Sequence, residues 1–323
     1  MPALSIIIIS WNTRDLLAAC LTSLRTYPPD VGHEIIVVDN ASGDGSAAMA
    51  RRDFPHVHLI ENPTNVGFAA ANNQALAVCQ GRYVLLLNSD AEATAGALEA
   101  LVSFMERHPQ AGAAAPTLVN PDGSFQASHA RFPTLVSEFL LITRLARWAI
   151  GPYAPSPRPR PHEAAHPVDW AAGAALLVRR AAIDQVGGLD ADYFMYSEET
   201  DWCWRLWRHN WQVWYLPEVK VIHHGGASSR QRGAASYAQL YASKVRFFER
   251  AYGPAVAGRL RALFRLAAAA RGLTWRVLSF VTPSPAGRVR LQQRLAREQQ
   301  LAAQMNAECG MLNAECGRVK GEG

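Results

Sequence analysis

Three carboxylates fall within four positions at Glu198, Glu199 and Asp201, after the aromatic run Phe194-Met195-Tyr196 and before Trp202, Cys203, Trp204 and Arg205. Ser197 stands where a helix N-cap belongs, and acids in a first turn suit the positive end of the helix dipole. On that helix Glu198, Asp201, Trp202 and Arg205 share one face, while Glu199 projects about 100° away from Glu198. Two readings of the segment stay open. One is a well-capped helix with an Asp201–Arg205 ion pair. The other is a carboxylate held beside tryptophans to move a proton in a sugar site.

A second group is Asn88-Ser89-Asp90, at the exit of the apolar run Tyr83–Leu87. A hard cation such as Mg²⁺ or Mn²⁺ takes one or two carboxylates together with substrate phosphates. Asp90 fits that use, or it caps a turn beginning at Ala91-Glu92. His223, which opens His223-His224-Gly225-Gly226, is the natural partner of Asp90; the alternative is a structural histidine after a strand. A divalent cation with basic loop residues would neutralise a leaving diphosphate. Asp39 ends the run Ile35–Val38. It can accept from the imide N–H of a pyrimidine base, or cap the turn that carries Ser42 and Asp44. Asn62, Asn65, Asn72 and Asn73 crowd Gly67-Phe68, as ligand contacts or as turn formers.

The elements around these groups alternate. Ile6–Ile9, Ile35–Val38, Val57–Ile60 and Tyr83–Leu87 read as buried strands, and a fifth is expected at Ala113–Leu118. Helices are expected at Asp15–Arg25, Ala69–Cys79 and Ala95–Arg107. The alternation implies an α/β fold with a doubly wound, mostly parallel sheet, in which ligands sit beyond the carboxyl ends of the strands. Asp39 and Asn88-Ser89-Asp90 both fall at such ends. Beyond Asn120 come a Pro121-Asp122-Gly123 turn, an apolar helical piece over Leu135–Ile150 and a loop with Pro152, Pro155, Pro157, Pro159, Pro161 and Pro167. Order resumes at Val168–Val178. A helix is expected at Arg180–Val186, strands at Val213–Leu216 and Val219–Ile222, and a helix at Ser236–Tyr252.

With 323 residues and 49% hydrophobic content, the chain is long enough for one large domain with appendages. The formal charge of +5 fits an anionic substrate or membrane surface and does not argue for nucleic acid. Five cysteines without CxxC spacing point to a reducing compartment and no zinc site. The N-terminal run reads as a strand rather than a signal peptide, and no apolar run reaches ~18 residues. There is no GxGxxG after the first strand, no GxxxxGK[ST] and no GxSxG, which sets aside dinucleotide, P-loop and α/β-hydrolase readings. Residues 259–281 interleave Arg259, Arg261, Arg265, Arg271 and Arg276 with apolar side chains. That pattern fits a helix on the inner membrane surface or one packed against the rest of the protein. The last forty residues read as a frayed helical or disordered tail, with Asn-Ala-Glu-Cys-Gly at 306–310 and again at 313–317.

In order and spacing, Ser5–Asn12, Val37–Ser46, Asn62–Asn73, Leu85–Asp90, Trp170–Arg179, Val186–Asp190, Phe194–Arg205 and Val221–Ser228 resemble the inverting glycosyltransferases of family 2. The nearest resemblance is to the bacterial rhamnosyltransferase-like enzymes of cell-surface polysaccharide assembly. It covers roughly residues 4–250 and implies a GT-A fold, Rossmann-like, with a C-terminal helical extension. The implied layout is a transferase domain over 1–250, with a nucleotide-sugar half at 1–118 and an acceptor half at 168–250. A helical extension over 251–305 and a flexible tail over 306–323 would follow.

The resemblance also implies roles. Asp39 would contact the nucleotide base, with Ser10, Asn12, Asn40, Ser42, Asn65, Gly67, Asn72, Asn88 and Ser89 around the nucleotide-sugar. Asn88-Ser89-Asp90 stands at the Asp-X-Asp metal motif, with Asn in its first place; Asp90 and His223 would hold Mg²⁺ or Mn²⁺. Glu198-Glu199-Thr200-Asp201 stands at a Glu-Asp-X-Asp motif whose second acid is the general base, here Glu199. Trp170, Gly173 and Trp202 would face the acceptor. The expected enzyme moves rhamnose from dTDP-rhamnose, or a sugar from a UDP donor, to a cell-surface glycan or lipid-linked acceptor. It would do so in the cytoplasm or at the inner membrane face. A nucleotidyltransferase would need a Gly-rich basic loop where Ser10-Trp11-Asn12-Thr13-Arg14 stands. A non-catalytic relative would have lost the acids.

Overall fold

The computed structural model of the chain describes residues 2–149, 155–160, 162–226, 231, 233–281 and 284–319. Ile150, Pro152 and Pro161 of the expected helical piece and proline-rich loop lie outside the described residues, as do Ala227 and Ser228 after the histidines. The chain divides into two compact units, residues 1–132 with 146–228, and residues 133–145 with 229–323.

The first unit is built on β1 (Leu4–Ser10), buried along almost its whole length. Successive strand side chains point to opposite faces, so a strand covered on both sides must be apolar throughout. Leu4, Ile6 and Ile8 pack with Leu17, Leu21 and Leu24 of α1 (Arg14–Thr26), Met49 of α2 (Ser46–Asp53) and Leu98 and Leu101 of α4 (Ala97–Arg107). Ile7 packs on the opposite face with Ala71 and Ala75 of α3 (Phe68–Val78), Ile183 of α7 (Arg180–Val186) and Trp202 and Leu206 of α8 (Glu198–Arg208).

The sheet runs β3 (His58–Glu61), β2 (His33–Asp39), β1, β4 (Tyr83–Asn88), β11 (Ala175–Arg179), β6 (Ala111–Val119), β12 (Gln212–His223) and β5 (Ala91–Ala93). Strands β3, β2, β1 and β4 are parallel neighbours, and β6 pairs parallel with β12. Strand β11 inserts antiparallel between β4 and β6, so the sheet is mixed rather than parallel throughout. Short strands β7 (Phe125–Gln126) and β9 (His166–Pro167) add antiparallel to β6 and β12. A separate ribbon joins β8 (His129–Ala130) to β10 (Trp170–Ala171). The chain leaves β1 toward β2 on one side and returns to β4 on the other. The register sets Ser10 opposite Asp39 and Ile9 opposite Asn88, which opens a crevice at the carboxyl end of β1.

Two expectations change. The strands expected at Val213–Leu216 and Val219–Ile222 are one twelve-residue strand, irregular between Leu216 and Lys220. Pro217 lacks an N–H to donate, so the ladder lapses there without the strand ending. Ala91-Glu92-Ala93 forms a strand and not the start of a turn.

The second unit is helical: α5 (Leu135–Ile142), α9 (Ala234–Tyr252), α10 (Pro254–Val281) and α11 (Pro285–Val319). Short helix α6 (Ala146–Ala149) belongs to the first unit. Phe247, Phe248, Leu260, Phe264, Leu301 and Met305 form the buried interior of the helices. Two ion pairs tie them, Lys244 to Glu138 at 2.7 Å and Arg271 to Glu298 at 2.8 Å. The tail, expected as a frayed helix or disorder, is helical to Val319, with Leu301 and Met305 buried. The repeat at 306–317 lies on this helix, and its side chains fall outside the described residues. One face of α10 is packed, whereas Leu266, Leu273 and Val277 on the other are 71%, 65% and 54% exposed. No described helix is long and apolar enough to cross a membrane.

Candidate functional site

The first wall of the site is the sheet edge. Directly after Asp90 the chain turns back as β5 against the end of β12, with His223 opposite Ala91. The His224 N–H donates to the Asp90 carbonyl at 2.8 Å, and the His224 ring meets Glu92 at 2.6 Å. This pairing brings His223 Nε2 to 3.2 Å from Asp90 Oδ1 and 3.4 Å from Asn88 Nδ2. Asp90 is therefore a strand corner and not a helix cap; α4 starts at Ala97 behind a left-handed Gly96. Among the described residues no group of three or more His, Cys, Asp and Glu side chains could hold a metal alone. One carboxylate and one imidazole side by side still fit a divalent cation that fills its other positions with water and phosphate oxygens. Below them, Cys20 is buried, its thiol 3.7 Å from the Asn88 carbonyl and pushed up by burial and then by Asp90 and Glu92.

Next along the edge is Asp39, 4% exposed. Its Oδ1 accepts from the Ser42 N–H at 2.9 Å, so one oxygen caps the turn. Its Oδ2 is buried with no hydrogen-bond partner among the described residues. A buried acceptor without a donor costs about 1–3 kcal/mol, so that oxygen is available to a ligand N–H. The two readings of Asp39 use different oxygens. Asn12, left-handed at φ 52°, donates its backbone N–H to Ser42 Oγ at 2.9 Å and accepts from the Gly43 N–H at 2.7 Å. Ser10 Oγ lies 3.0 Å from Thr13 Oγ1, which lies 2.9 Å from Ser89 Oγ, so a hydroxyl chain joins the ends of β1 and β4. Thr13 was missed in the sequence; its one signal is its place at the start of α1.

The asparagine-rich loop is mostly self-bracing. Asn40 donates to Asn65 Oδ1 and to the Gly67 carbonyl, and accepts from Asn62 and the Val66 N–H. Asn65 also accepts from the Gly67 N–H at 3.0 Å. Asn72 is 1% exposed and donates to the Phe68 carbonyl one turn back in α3, so it braces that helix and offers nothing to a donor. Asn73 brackets the Leu189 backbone with both ends of its amide. Gly67 has φ 89°, and a Cβ there would lie 2.7 Å from the Phe194 carbonyl. That close approach lets the Phe68 N–H donate to the same carbonyl at 2.7 Å. The loop thereby docks on the segment leading into the acids.

The second wall is the start of α8. Tyr196 and Ser197 are both left-handed, at φ 72° and 66°. Ser197 holds the N-cap position, but its hydroxyl makes no cap bond. A side-chain cap needs an extended residue, and a left-handed one aims its side chain elsewhere. The first-turn N–H groups are left to the acids. Glu198 is 4% exposed and its Oε2 has no hydrogen-bond partner among the described residues. Burial first, then the charge of Glu199, pushes its carboxyl well above the usual range. Burial pushes half-buried Glu199 up to about 7, against the pull of the N–H groups of Glu199 and Thr200. The two acids are coupled and titrate as a pair. A Cβ on Gly173 would lie 3.6 Å from Glu199 Cβ and 3.8 Å from Phe68, so Gly173 keeps the space beside Glu199 narrow but open.

The remaining acceptor-side and acid residues divide. Trp170 is half-buried, with its indole N–H on the Arg131 carbonyl at 3.0 Å, and Phe132 meets Trp204 edge-on at 4.9 Å. Trp202 is corrected: it is 0% exposed, bonded to the Gly187 carbonyl at 2.8 Å, and has no surface to offer an acceptor. Asp201, 3% exposed, accepts from Arg205 at 2.8 Å, and Arg205 also donates to the Val186 and Gly188 carbonyls. That pair holds the Gly187-Gly188 turn, so Asp201 supports the helix rather than reacting. Gln126, whose Oε1 lies 2.5 Å from His223 Nδ1, was also missed; a polar residue just past a hairpin turn carries no sequence signal of a site.

Residues 5–187 match the family described as Glycosyl transferase family 2. The N-acetylglucosaminyl-diphospho-decaprenol L-rhamnosyltransferase of Mycobacterium tuberculosis is 32% identical over 225 residues, which span 66% of this chain and 73% of that one. The rhamnosyltransferase WbbL of Escherichia coli is 24% identical over 76% of this chain and 92% of its own. Among solved structures, the mannosyltransferase PcManGT from Pyrobaculum calidifontis in complex with GDP-Man and Mn²⁺ superposes with a TM-score of 0.51 at 19% identity, over 94% of this chain and 87% of that one. GalNAc-T7 with UDP, GalNAc and Mn²⁺ gives 0.55 at 14%, over 77% and 48%. These two structures bear on the fold, which is GT-A.

The division between Asp201 and Glu199 is testable by stability. Arg205→Leu removes one partner of a buried ion pair and the donors to the Val186 and Gly188 carbonyls, and is expected to cost about 3–5 kcal/mol in urea unfolding. A loss below about 1 kcal/mol would mean that the pair does not hold this turn.

Proposed function

The chain belongs to glycosyltransferase family 2, and on that premise we propose that it transfers rhamnose from dTDP-rhamnose to a hydroxyl of a lipid-linked or cell-surface glycan, with inversion at the anomeric carbon. The observation that carries the reading is Glu199, a half-buried carboxylate raised to about 7 at the mouth of a helix facing Gly173 and Phe68. A base works best when its pKa lies near the operating pH. The orphaned Oδ2 of Asp39 supports a pyrimidine nucleotide, since thymine and uracil both present an imide N–H. A UDP-sugar is the second donor on the same ground. The mycobacterial relative, an N-acetylglucosaminyl-diphospho-decaprenol L-rhamnosyltransferase, supports a lipid diphosphate-linked acceptor.

In this reading Asp39 takes the base, while Ser10, Asn12, Ser42 and Ser89 shape the crevice beside it. Asp90 and His223 would hold Mg²⁺ or Mn²⁺, which when bound neutralises charge on the departing nucleoside diphosphate. Glu199 takes the proton of the acceptor hydroxyl. The acceptor oxygen forms its bond to the anomeric carbon as the carbon–phosphate oxygen bond breaks, and the nucleoside diphosphate leaves with that electron pair. Glu198 stays protonated beside Glu199, so one negative charge and not two faces the acceptor.

Glu199→Gln is expected to lower kcat by about 10²–10⁴-fold while leaving dTDP affinity unchanged by calorimetry. Near-normal turnover would refute the base assignment. Because the base acts in its ionised form, which is populated above its pKa, wild-type kcat/KM is expected to rise with pH through about 7. A profile flat from about pH 5.5 to 8.5 would contradict it.

The proposal extends to place: the protein works in the cytoplasm, with α10 on the membrane surface. Exposed Leu266, Leu273 and Val277 line one stripe of that helix, with Arg259 on the stripe and Arg265 and Arg276 at its flank. Apolar area flanked by cations is what an anionic lipid surface attracts. Replacing all three apolar residues with Gln should abolish cosedimentation with phosphatidylglycerol vesicles while the helical circular dichroism is kept. Unchanged cosedimentation would remove the membrane role from this face.

A further inference from the structure

Behind His223 stands a chain of hydrogen bonds whose direction is fixed at every link. It begins at the exposed hairpin tip, where Ser124 Oγ lies 2.6 Å from Asp122 Oδ1, and that hydroxyl with the Ser124 N–H holds the Asp122 carboxyl below the usual range. An ionised carboxylate only accepts, so the Ser124 hydroxyl donates its hydrogen there. Its lone pairs then receive Asn120 Nδ2 at 2.9 Å, which turns Asn120 Oδ1 toward Gln126. Gln126 Nε2 donates to Asn120 Oδ1 at 3.0 Å and to the His223 carbonyl at 3.3 Å. With both amide hydrogens directed, Gln126 presents Oε1 to His223 Nδ1 at 2.5 Å. An amide oxygen cannot donate, so Nδ1 must carry the hydrogen. In the neutral ring Nε2 then holds a lone pair, which can accept from Asn88 Nδ2 at 3.4 Å and lies beside Asp90 Oδ1 at 3.2 Å.

The backbone supports this chain. Gln126 ends β7 and pairs with Leu118, and the hairpin closes through Asn120 N–H to the Ser124 carbonyl and Gly123 N–H to the Asn120 carbonyl. Gly225, left-handed at φ 70°, passes close enough that a Cβ there would lie 3.2 Å from Gln126 Nε2. The amide is therefore enclosed from the hairpin side and from the histidine loop.

We propose that Gln126, oriented by Asn120, is the positioning residue that fixes His223 as its Nδ1–H tautomer and so keeps Nε2 as a ligand atom beside Asp90 for a divalent cation. The cation part rests on the reading of Asp90 and His223 given above; the tautomer part stands on the hydrogen bonds alone. Partners on the far nitrogen of a ligating histidine commonly alter metal affinity about 10- to 100-fold.

The test uses the full chain with ¹⁵N-labelled histidine and two readouts other than turnover. Long-range ¹H–¹⁵N spectra, with His223→Gln to assign the ring, report the tautomer without metal. Electron paramagnetic resonance of free Mn²⁺ reports affinity in the presence of dTDP. Wild type is expected to show the Nδ1–H form. Gln126→Leu should mix the tautomers and weaken Mn²⁺ about 10- to 100-fold, whereas Gln126→Glu, which still accepts from Nδ1, should keep both near wild type. An Nε2–H wild type, or a Gln126→Leu variant with unchanged tautomer and affinity, overturns the proposal. If Asp90→Asn and His223→Gln leave Mn²⁺ affinity unchanged, the cation part falls with the metal-site reading, and the tautomer spectra still decide the hydrogen-bond part.

Discussion

The antiparallel pairing of β5 with the end of β12 is the constraint on which the rest of the site depends. Asn88 and His223 lie 135 positions apart in the chain, and this three-residue ladder helps bring them to side-chain distance. Bringing together groups so distant costs loop-closure entropy that two polar side chains could not repay. The ladder repays it with backbone hydrogen bonds and with Ala91, Ala93 and Val221, which are 0%, 2% and 0% exposed. Asp90 and His223 are carried on this framework, so their approach to 3.2 Å is set by the sheet and not by the two side chains themselves.

The opposite wall is held by a different means. Tyr196 and Ser197 enter α8 in left-handed conformations, which cost on the order of 1–3 kcal/mol each for residues with a side chain. Several contacts hold that entry: Gly67 and Phe68 against the Phe194 carbonyl, Asn73 on Leu189, and Arg205 with Asp201 on the Gly187-Gly188 turn. The left-handed cap leaves the N–H groups of Glu199 and Thr200 to the Glu199 carboxyl and sets the two glutamates side by side. Burial raises both carboxyls, Glu199 to about 7 and Glu198, with the charge of Glu199 added, well above the usual range. The same two residues on an ordinary capped surface helix would both be ionised and poor bases.

Much of this was legible in the residues. Strands β1, β2 and β4 are continuous apolar runs because both faces of the sheet are covered, and an acid ending such a run must lie at the sheet edge. Helix Arg180–Val186 was read to the residue because Gly187 stops it. What stayed hidden has physical reasons. Ala91-Glu92-Ala93 has no strand pattern of its own and exists as a strand only because β12 lies beside it. Pro217 breaks the ladder but not the strand. Residue type does not say whether a tryptophan faces a ligand or the core, so Trp202 was placed on the wrong side of its helix. Gln126 gains its meaning only from the ring it faces across the hairpin.

The proposed reaction is a single displacement at the anomeric carbon, with Glu199 acting on the acceptor hydroxyl. The direct measurement is the anomeric configuration of the product, read from the ¹H and ¹³C couplings of the transferred sugar after incubation of the full chain with dTDP-rhamnose, Mg²⁺ and a lipid diphosphate-linked acceptor. The account predicts a configuration opposite to that of the donor. A product that retains the donor's configuration would contradict it, because one direct displacement at the anomeric carbon inverts.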